Sequence, residues 1–253
     1  MVEFTAKIAG YAMAVRALYP ESKELFRDYL TEEQASFTIE SNEALIQKER
    51  RLLKKAEATN RRQTDGFSDR QIESNFLYRE VAERLSPHGV VLIHGSAIAV
   101  DGEAYIFVAP SGTGKSTHTR LWREVFGERA VMINDDKPLL KCTEAGIMVY
   151  GSPWNGKHQL GGNISVPLKA VCFLARGKEN RIEPINAADA FLPMLKSVYH
   201  SEAAEKEACI LRSLQCVRQR TEFYRLKCNM QQEAAIIAFE GMNSERNIEG
   251  AIQ

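Results

Sequence analysis

The alternation of apolar and polar positions divides the chain into short apolar runs separated by amphipathic stretches. Residues 96–100 and 104–108 are apolar runs on either side of Asp101-Gly102, and an Asp-Gly pair in that setting is a strong signal for a β-hairpin. Further buried strands are expected at residues 131–133, 167–175 and 223–226. The amphipathic stretches between them predict helices. The fold class is therefore α/β, with a mixed sheet because the hairpin is antiparallel.

The first third of the chain mixes short strands with helices. Three elements are expected at its start: residues 4–15 as a strand, 21–30 as a short helix and 35–39 as a second strand. Ser41 can cap a helix that runs to Lys55, and Ser68 can cap another helix. The apolar stripe of this second helix comprises Ile72, Phe76 and Val81.

Residues 86–89, Ser-Pro-His-Gly, mark a boundary along the chain. They separate a small N-terminal α+β unit of residues 1–87 from a core of residues 88–253. In the core, Asn186 can cap a helix over residues 186–199. Two more helices are expected at residues 202–218 and 231–242.

The segment after the second hairpin strand carries the candidate chemistry. It reads Ala-Pro-Ser-Gly-Thr-Gly-Lys-Ser over residues 109–116, between an apolar strand and an amphipathic stretch. Glycines let successive N–H groups face one anion, lysine reaches terminal phosphates, and the serine hydroxyl suits Mg²⁺. The usual pattern has glycine at Ala109, which matters only if that position needs positive φ. The predicted nucleotide-binding residues are Ser111, Gly112, Thr113, Gly114, Lys115, Ser116 and Thr117.

Two adjacent carboxylates follow the next apolar run. Asn134, Asp135 and Asp136 come at its end, and Asp135 lies twenty positions after Lys115. Carboxylates beside a phosphate site can hold Mg²⁺ and accept a proton from an attacking hydroxyl. Asp-rich turns also simply end strands, so that alternative stays open.

The order and spacing of these features resemble the catalytic domain of HPr kinase/phosphorylase. His94-Gly95, the Gly102 turn, the glycine-rich loop and the aspartate pair follow one another as in that family. The loop is also similar to that of ATP-dependent phosphoenolpyruvate carboxykinase. The resemblance implies an HPr kinase/phosphoenolpyruvate carboxykinase-like P-loop core. It is specific from His94 to about Leu140, and the whole chain is similar to HPr-kinase-like proteins of peptide-modification cassettes.

The resemblance also implies a role for each catalytic candidate. Lys115 would hold the β- and γ-phosphates, Ser116 would bind Mg²⁺, and His94 would lie near the reacting phosphate. Asp135 would accept the proton, and Asp136 would be its metal-binding or loop-anchoring neighbour. The order of the two aspartates stays open on the sequence alone.

Two further basic residues are candidate contacts to phosphate or substrate. Lys157 lies in residues 151–158, Gly-Ser-Pro-Trp-Asn-Gly-Lys-His, where Trp154, Lys157 and His158 could contact base, phosphate or acceptor. That segment could equally be a turn with Trp154 packed on the core. Arg176 follows a buried run and could neutralise transferring charge, although an exposed turn arginine is more common.

Composition narrows the class of partner. With 33 basic and 33 acidic residues, the formal net charge is zero, which removes a global attraction to nucleic acid or membrane. The apolar runs are too short to span a bilayer, and the first residues lack a signal-peptide pattern. Five cysteines without metal-binding spacing predict buried thiols in a reducing cytoplasm. One basic stretch is either a solvated helix face or a docking face for an acidic partner: Lys48, Arg50, Arg51, Lys54, Lys55, Arg61 and Arg62.

Together these features predict a cytoplasmic, Mg²⁺- and ATP-dependent phosphotransferase that moves the γ-phosphate to a hydroxyl. The expected acceptor is a serine or threonine of a protein or peptide, with neither nucleic acid nor membrane as partner. The sequence leaves homo-oligomerisation open. No Asn-Lys-x-Asp guanine-reading motif occurs, which together with the resemblance favours ATP. A nucleotide-binding regulator and a small-molecule kinase are the alternatives.

Overall fold

The computed structural model describes residues 1–60, 66–156 and 158–244. The strands are β1 (Val2–Ile8), β2 (Tyr11–Ala17), β3 (Phe37–Glu40), β4 (Val90–Leu92), β5 (Ser96–Val100), β6 (Glu103–Val108), β7 (Ala130–Asn134), β8 (Leu139–Thr143), β9 (Gly146–Tyr150), β10 (Ser165–Arg176), β11 (Arg181–Ile185) and β12 (Glu222–Cys228). The helices are α1 (Glu21–Leu25), α2 (Glu43–Asn60), α3 (Asp69–Leu85), α4 (Lys115–Phe126), α5 (Ala187–Leu195), α6 (Ala204–Arg220) and α7 (Glu233–Asn243).

The larger sheet confirms the α/β class with mixed strand directions. Its path runs β4-β8-β9-β10-β6-β5-β7, and β12 pairs with β10 and β11. β10 is parallel to β6 and β12 but antiparallel to β9. The predicted hairpin is formed by β5 and β6. Its turn residues Asp101 and Gly102 have φ of 53° and 82°, as a turn with two left-handed residues requires.

Helices cover both faces of this sheet around β6. Because neighbouring strand residues point to opposite faces, Ile106 joins a core with α5 and α6, whereas Tyr105 and Phe107 join a core with α4 and α7. Helices therefore pack against both faces of β6, the strand from which the glycine-rich loop starts. This arrangement gives the glycine-rich loop (residues 109–116) a rigid support.

The N-terminal sheet has the order β1-β2-β3 and is separate from the larger one. One strand was predicted over residues 4–15, but the structure has two, because the chain reverses between β1 and β2. Ala9 and Gly10 have φ of 50° and 87° there. Alanine gives no turn signal, and an isolated glycine inside a strand pattern suggests a bulge, so the sequence did not predict this reversal.

The helix caps are partly as predicted. Ser68 caps α3 in a reciprocal arrangement with Gln71, and the predicted apolar stripe of that helix is buried. Ser41 does not cap α2. Asn42 accepts the N–H of Leu45 at 3.0 Å instead, while the Ser41 hydroxyl donates to the buried carboxylate of Glu73. In the core, α5 ends at Leu195 and so is shorter than expected.

The apolar core of the N-terminal sheet continues into the rest of the molecule. Val90, Leu92, Leu139 and Trp154 belong to the same cluster as the residues of β1, β2 and α3. The boundary between residues 1–87 and 88–253 therefore stays a prediction.

All five cysteines are free thiols, but the prediction that all five are buried was wrong. Cys172 is buried, whereas Cys142, Cys209, Cys216 and Cys228 are partly exposed. In the described ranges, none of the helices combines the length and apolar character needed to cross a membrane.

Candidate active site

The glycine-rich loop joins β6 to α4 and turns at its glycines. Gly112 has φ of 79° and Gly114 of 124°, both disfavoured for residues with a Cβ. α4 begins at Lys115 directly after Gly114, so its unpaired N–H groups open on the loop, with Ser116 exposed in the first turn. Among the residues that the structure describes, Ala109 is not one with positive φ. Alanine can therefore replace the usual glycine there.

Two basic side chains hold this loop. Lys115 is 9% exposed, and its Nζ donates to the carbonyl of Ala109 at 2.8 Å. Arg176 lies at the end of β10 and donates to the carbonyls of Gly112 at 2.5 Å and Thr113 at 3.3 Å. The structure thus places both predicted cations at the loop, where Arg176 fixes the carbonyls of Gly112 and Thr113.

Asp135 follows β7 in an almost closed environment. It is 4% exposed, its Oδ1 accepts the N–H of Gly156, and its Oδ2 has no hydrogen-bond partner within the described part of the chain. Burial raises the pKa of this carboxyl; the Gly156 hydrogen bond opposes the shift and the charge of Asp136 adds to it. A buried carboxylate oxygen in this state calls for a proton, a cation or a donor.

Asp136 lies in a polar cluster with His94 and Lys137. His94 Nδ1 is 3.1 Å from Asp136 Oδ1, and Lys137 Nζ is 2.5 Å from Oδ2. Burial alone would raise the pKa of Asp136, but the hydrogen bonds from His94 and Lys137 outweigh it and lower the pKa to about 2. The N–H of Gly95 also donates to the Asp136 carbonyl at 3.0 Å. The predicted His94 and aspartate pair are therefore brought together.

The low pKa of Asp136 makes stability depend on pH. Its folded pKa of about 2 lies below the ordinary 3.8, so the stabilisation is complete above that ordinary value and is lost as the pH falls toward 2. We expect Asp136→Asn to lower the free energy of unfolding more at about pH 6 than at about pH 3, measured by urea titration. Asp135→Asn should show the opposite trend, because the pKa of Asp135 is raised. Parallel pH profiles for the two variants would contradict this expectation.

The segment between β9 and β10 closes over Asp135. A Cβ on Gly156 would lie 2.8 Å from both carboxylate oxygens of Asp135, and one on Gly151 would lie 1.9 Å from the carbonyl of Gly162. Asn134 fixes the base of this segment by donating to the Ser152 carbonyl and hydroxyl, each at 3.1 Å. Gly156 is thus a site residue that the sequence interpretation missed.

Trp154 is a core residue, one of the two alternatives left open by the sequence. It is 6% exposed, and its ring packs edge-on against Phe26 and Tyr78. Its Nε1 donates to the Ser74 carbonyl at 3.1 Å. His158 is exposed, and the candidate Lys157 lies outside the described residues.

Two cavities flank the glycine-rich loop. The loop-and-strand cavity, of about 400 Å³, lies between residues 112–114, the first turns of α4 and the ends of β10 and β12. The His94 cavity, of about 550 Å³, lies between residues 108–111, His94 and α5. Since His94 contacts Asp136, the second cavity adjoins the carboxylate pair. The glycine-rich loop thus separates the His94 cavity, which adjoins the carboxylate pair, from the loop-and-strand cavity.

The described residues contain no group of three or more His, Cys, Asp and Glu side chains arranged for a metal ion. Mg²⁺ does not need such a group, since it commonly takes one or two carboxylates together with waters and substrate phosphates.

The fold and the site define a mixed α/β protein with a glycine-rich loop at a helix N-terminus and a nearby carboxylate pair. The chain belongs to the family described as SynChlorMet cassette protein ScmC, which matches residues 70–240. No curated protein matches it. Among solved structures, the Hpr(Ser) kinase/phosphatase from Coxiella burnetii is similar over 60% of this chain and 94% of that chain, with 10% identity and a TM-score of 0.34. The expected membership of a cassette family is confirmed.

Proposed function

We propose that this protein is an ATP- and Mg²⁺-dependent phosphotransferase that moves the γ-phosphate to a hydroxyl of a peptide or protein. The observation that carries the proposal is the buried Asp135, whose Oδ2 is unpartnered and whose pKa is raised. It adjoins Asp136 and His94, and His94 lines a cavity beside the glycine-rich loop. A raised carboxyl pKa suits a group that takes a proton from a hydroxyl near neutral pH.

The loop would hold the leaving phosphates. Its N–H groups and the N-terminus of α4 favour an anion. Lys115, now on the Ala109 carbonyl, would exchange that contact for phosphate oxygens. Arg176 would keep the loop carbonyls of Gly112 and Thr113 turned away from the anion. Transfer would then depend on positioning and charge stabilisation.

The site offers oxygen ligands that suit Mg²⁺. The Ser116 hydroxyl is exposed in the first turn of α4, and Asp136, with its pKa of about 2, is ionised at neutral pH. These two residues would hold the metal together with phosphate oxygens. When bound, Mg²⁺ neutralises charge on the β- and γ-phosphates.

The acceptor would enter through the His94 cavity. The His94 side chain is 42% exposed, and the cavity wall includes Leu192, which is 55% exposed, and Lys196. An entrance with both apolar and basic groups is compatible with a peptide. Membership of a cassette family is compatible with an acceptor that the same cassette encodes.

The proposal is tested by mass spectrometry after incubation with labelled ATP, Mg²⁺, peptides encoded beside the gene and, in a parallel reaction, a cell extract. We expect a phosphoryl group on a serine or threonine of one peptide, dependent on Mg²⁺. If the label appears in a small molecule and not in a peptide, the protein is a small-molecule kinase and the peptide acceptor is wrong. ATP binding without any transfer would favour a nucleotide-binding regulator and overturn the proposal.

A further inference from the structure

The loop-and-strand cavity contains a buried histidine that the proposed reaction does not use. His118 lies in α4, is 2% exposed and lines this cavity beside Gly112 and Gly114. Its ring packs edge-on against Phe107, with 4.6 Å between the ring centroids. The ring is therefore held in place at the wall of the cavity, beside the glycine-rich loop.

The protonation of His118 follows from its partner. The Nε1 of Trp122 lies 3.0 Å from His118 Nε2, and an indole nitrogen can only donate. Nε2 is therefore the acceptor and carries no proton. Burial lowers the pKa of His118 to about 4, so the ring is neutral at pH 7 and its proton lies on Nδ1.

The Nδ1–H group is a donor that lacks an acceptor. Nδ1 is buried and has no hydrogen-bond partner among residues 1–60, 66–156 and 158–244. A buried donor in this state is costly for the folded protein. A ligand that brings an acceptor atom into the cavity would remove that cost, and the loss of this donor would weaken only such a ligand.

The rest of the cavity suits a flat heteroaromatic ring. Leu121 and Leu174 form buried apolar walls, and Met230, at 75% exposed, stands at the rim. Asn229 also lines the cavity, but its side-chain atoms are engaged with the Lys178 carbonyl and the Gln231 N–H. Apolar walls with few polar groups are typical of small-molecule sites, in which those polar groups fix the orientation of the ligand.

The position of the cavity indicates which part of a nucleotide it would take. His94 and the aspartate pair adjoin the other side of the glycine-rich loop. A nucleotide with its terminal phosphate toward His94 would extend its base away from them, past residues 112–114. That direction leads into the loop-and-strand cavity.

We infer that the loop-and-strand cavity is a nucleobase site in which His118 Nδ1–H donates to a ring nitrogen of adenine. The inference rests on the proposed function, because it requires a nucleotide whose phosphates lie in the glycine-rich loop. His118 is the residue that recognises the base, and Trp122 is a positioning residue that fixes its tautomer. A neutral donor here favours an acceptor nitrogen over a protonated one.

Calorimetry with ADP and with inorganic tripolyphosphate separates base from phosphate binding. We expect His118→Phe to weaken ADP by about 10- to 100-fold and to leave tripolyphosphate unchanged. His118→Asn should recover part of the ADP affinity, because its amide nitrogen, like Nδ1, is two bonds from Cβ. His88→Phe is the matched control, since His88 is exposed, stacks on Tyr11 and does not line this cavity. Its affinities for ADP and for tripolyphosphate should stay at the wild-type values.

Different failures have different meanings. If the wild-type protein binds neither ligand, the proposed function and this inference both fail. If folded His118→Phe keeps its ADP affinity, the inference alone fails and the face of Phe107 satisfies the ring N–H.

A test on the wild-type protein covers the case in which His118→Phe does not fold. The 1-deaza, 3-deaza and 7-deaza analogues of ADP each remove one ring nitrogen that can accept a hydrogen bond. A loss of about 10-fold or more with one analogue supports the inference and identifies the nitrogen. Equal affinity for all three analogues and ADP overturns it.

Discussion

Asp135→Asn should reduce phosphate transfer by about 10²- to 10⁴-fold, the usual contribution of general acid–base catalysis. Asparagine keeps an oxygen for the N–H of Gly156, so the segment over the site should stay in place. It replaces the unpartnered Oδ2 with an amide nitrogen that cannot take a proton. The affinity for ADP should not change, because the proposal assigns phosphate binding to the glycine-rich loop. Single-turnover transfer rates and calorimetry measure the two effects separately.

A matched control for this variant is Asp101→Asn. Asp101 is in the hairpin turn and forms an exposed ion pair with Arg129, with 2.5 Å between Oδ2 and Nη2. Its replacement should leave the transfer rate at the wild-type value, since exposed ion pairs contribute little to stability. If Asp135→Asn transfers phosphate as fast as the wild type, Asp135 is not the proton acceptor.

Lys115→Met should lower kcat/KM for ATP by about 10²- to 10³-fold, as expected when one group that stabilises transition-state charge is removed. The methionine side chain fills most of the buried space of Lys115 but cannot donate to phosphate oxygens. The variant should also bind tripolyphosphate more weakly, which distinguishes it from Asp135→Asn. Initial rates at varied ATP, together with calorimetry, check both expectations.

Lys169→Met is the control for the charge that this variant removes. Lys169 lies on β10, and its Nζ is 3.7 Å from Glu103 at the start of β6, the end opposite to the glycine-rich loop. The Lys169→Met variant should keep the wild-type kcat/KM for ATP. Equal losses in Lys115→Met and Lys169→Met would show that net charge, and not a phosphate contact, sets the rate.

Local signals in the sequence were sufficient for the elements that carry the site. Asp101-Gly102 predicted the β5–β6 hairpin because both turn residues can adopt positive φ. The glycine-rich loop was likewise predicted with its strand before and its helix after. Each of these depends on residues that are close together along the chain.

Features that depend on distant residues were missed. Gly156 lies 21 positions from Asp135, and its proximity to that carboxylate has no local signal. In the sequence, His118 looks like an ordinary position of an amphipathic helix. Its Nδ1 lacks a hydrogen-bond partner because of how β6 and the ends of β10 and β12 surround it in the described structure. The Ala9-Gly10 reversal was also missed, because alanine seldom adopts positive φ.

The burial of Trp154 connects the first part of the chain to the chemistry of the second. Its ring contacts Phe26 and Tyr78, both within residues 1–87, and Gly156 follows two positions later. A fragment that starts at residue 88 would expose this indole and release the backbone that restrains the Asp135 carboxylate. The leading segment therefore cannot be removed to obtain a minimal form of the protein, and any shortened version would need a new hydrophobic cover for Trp154.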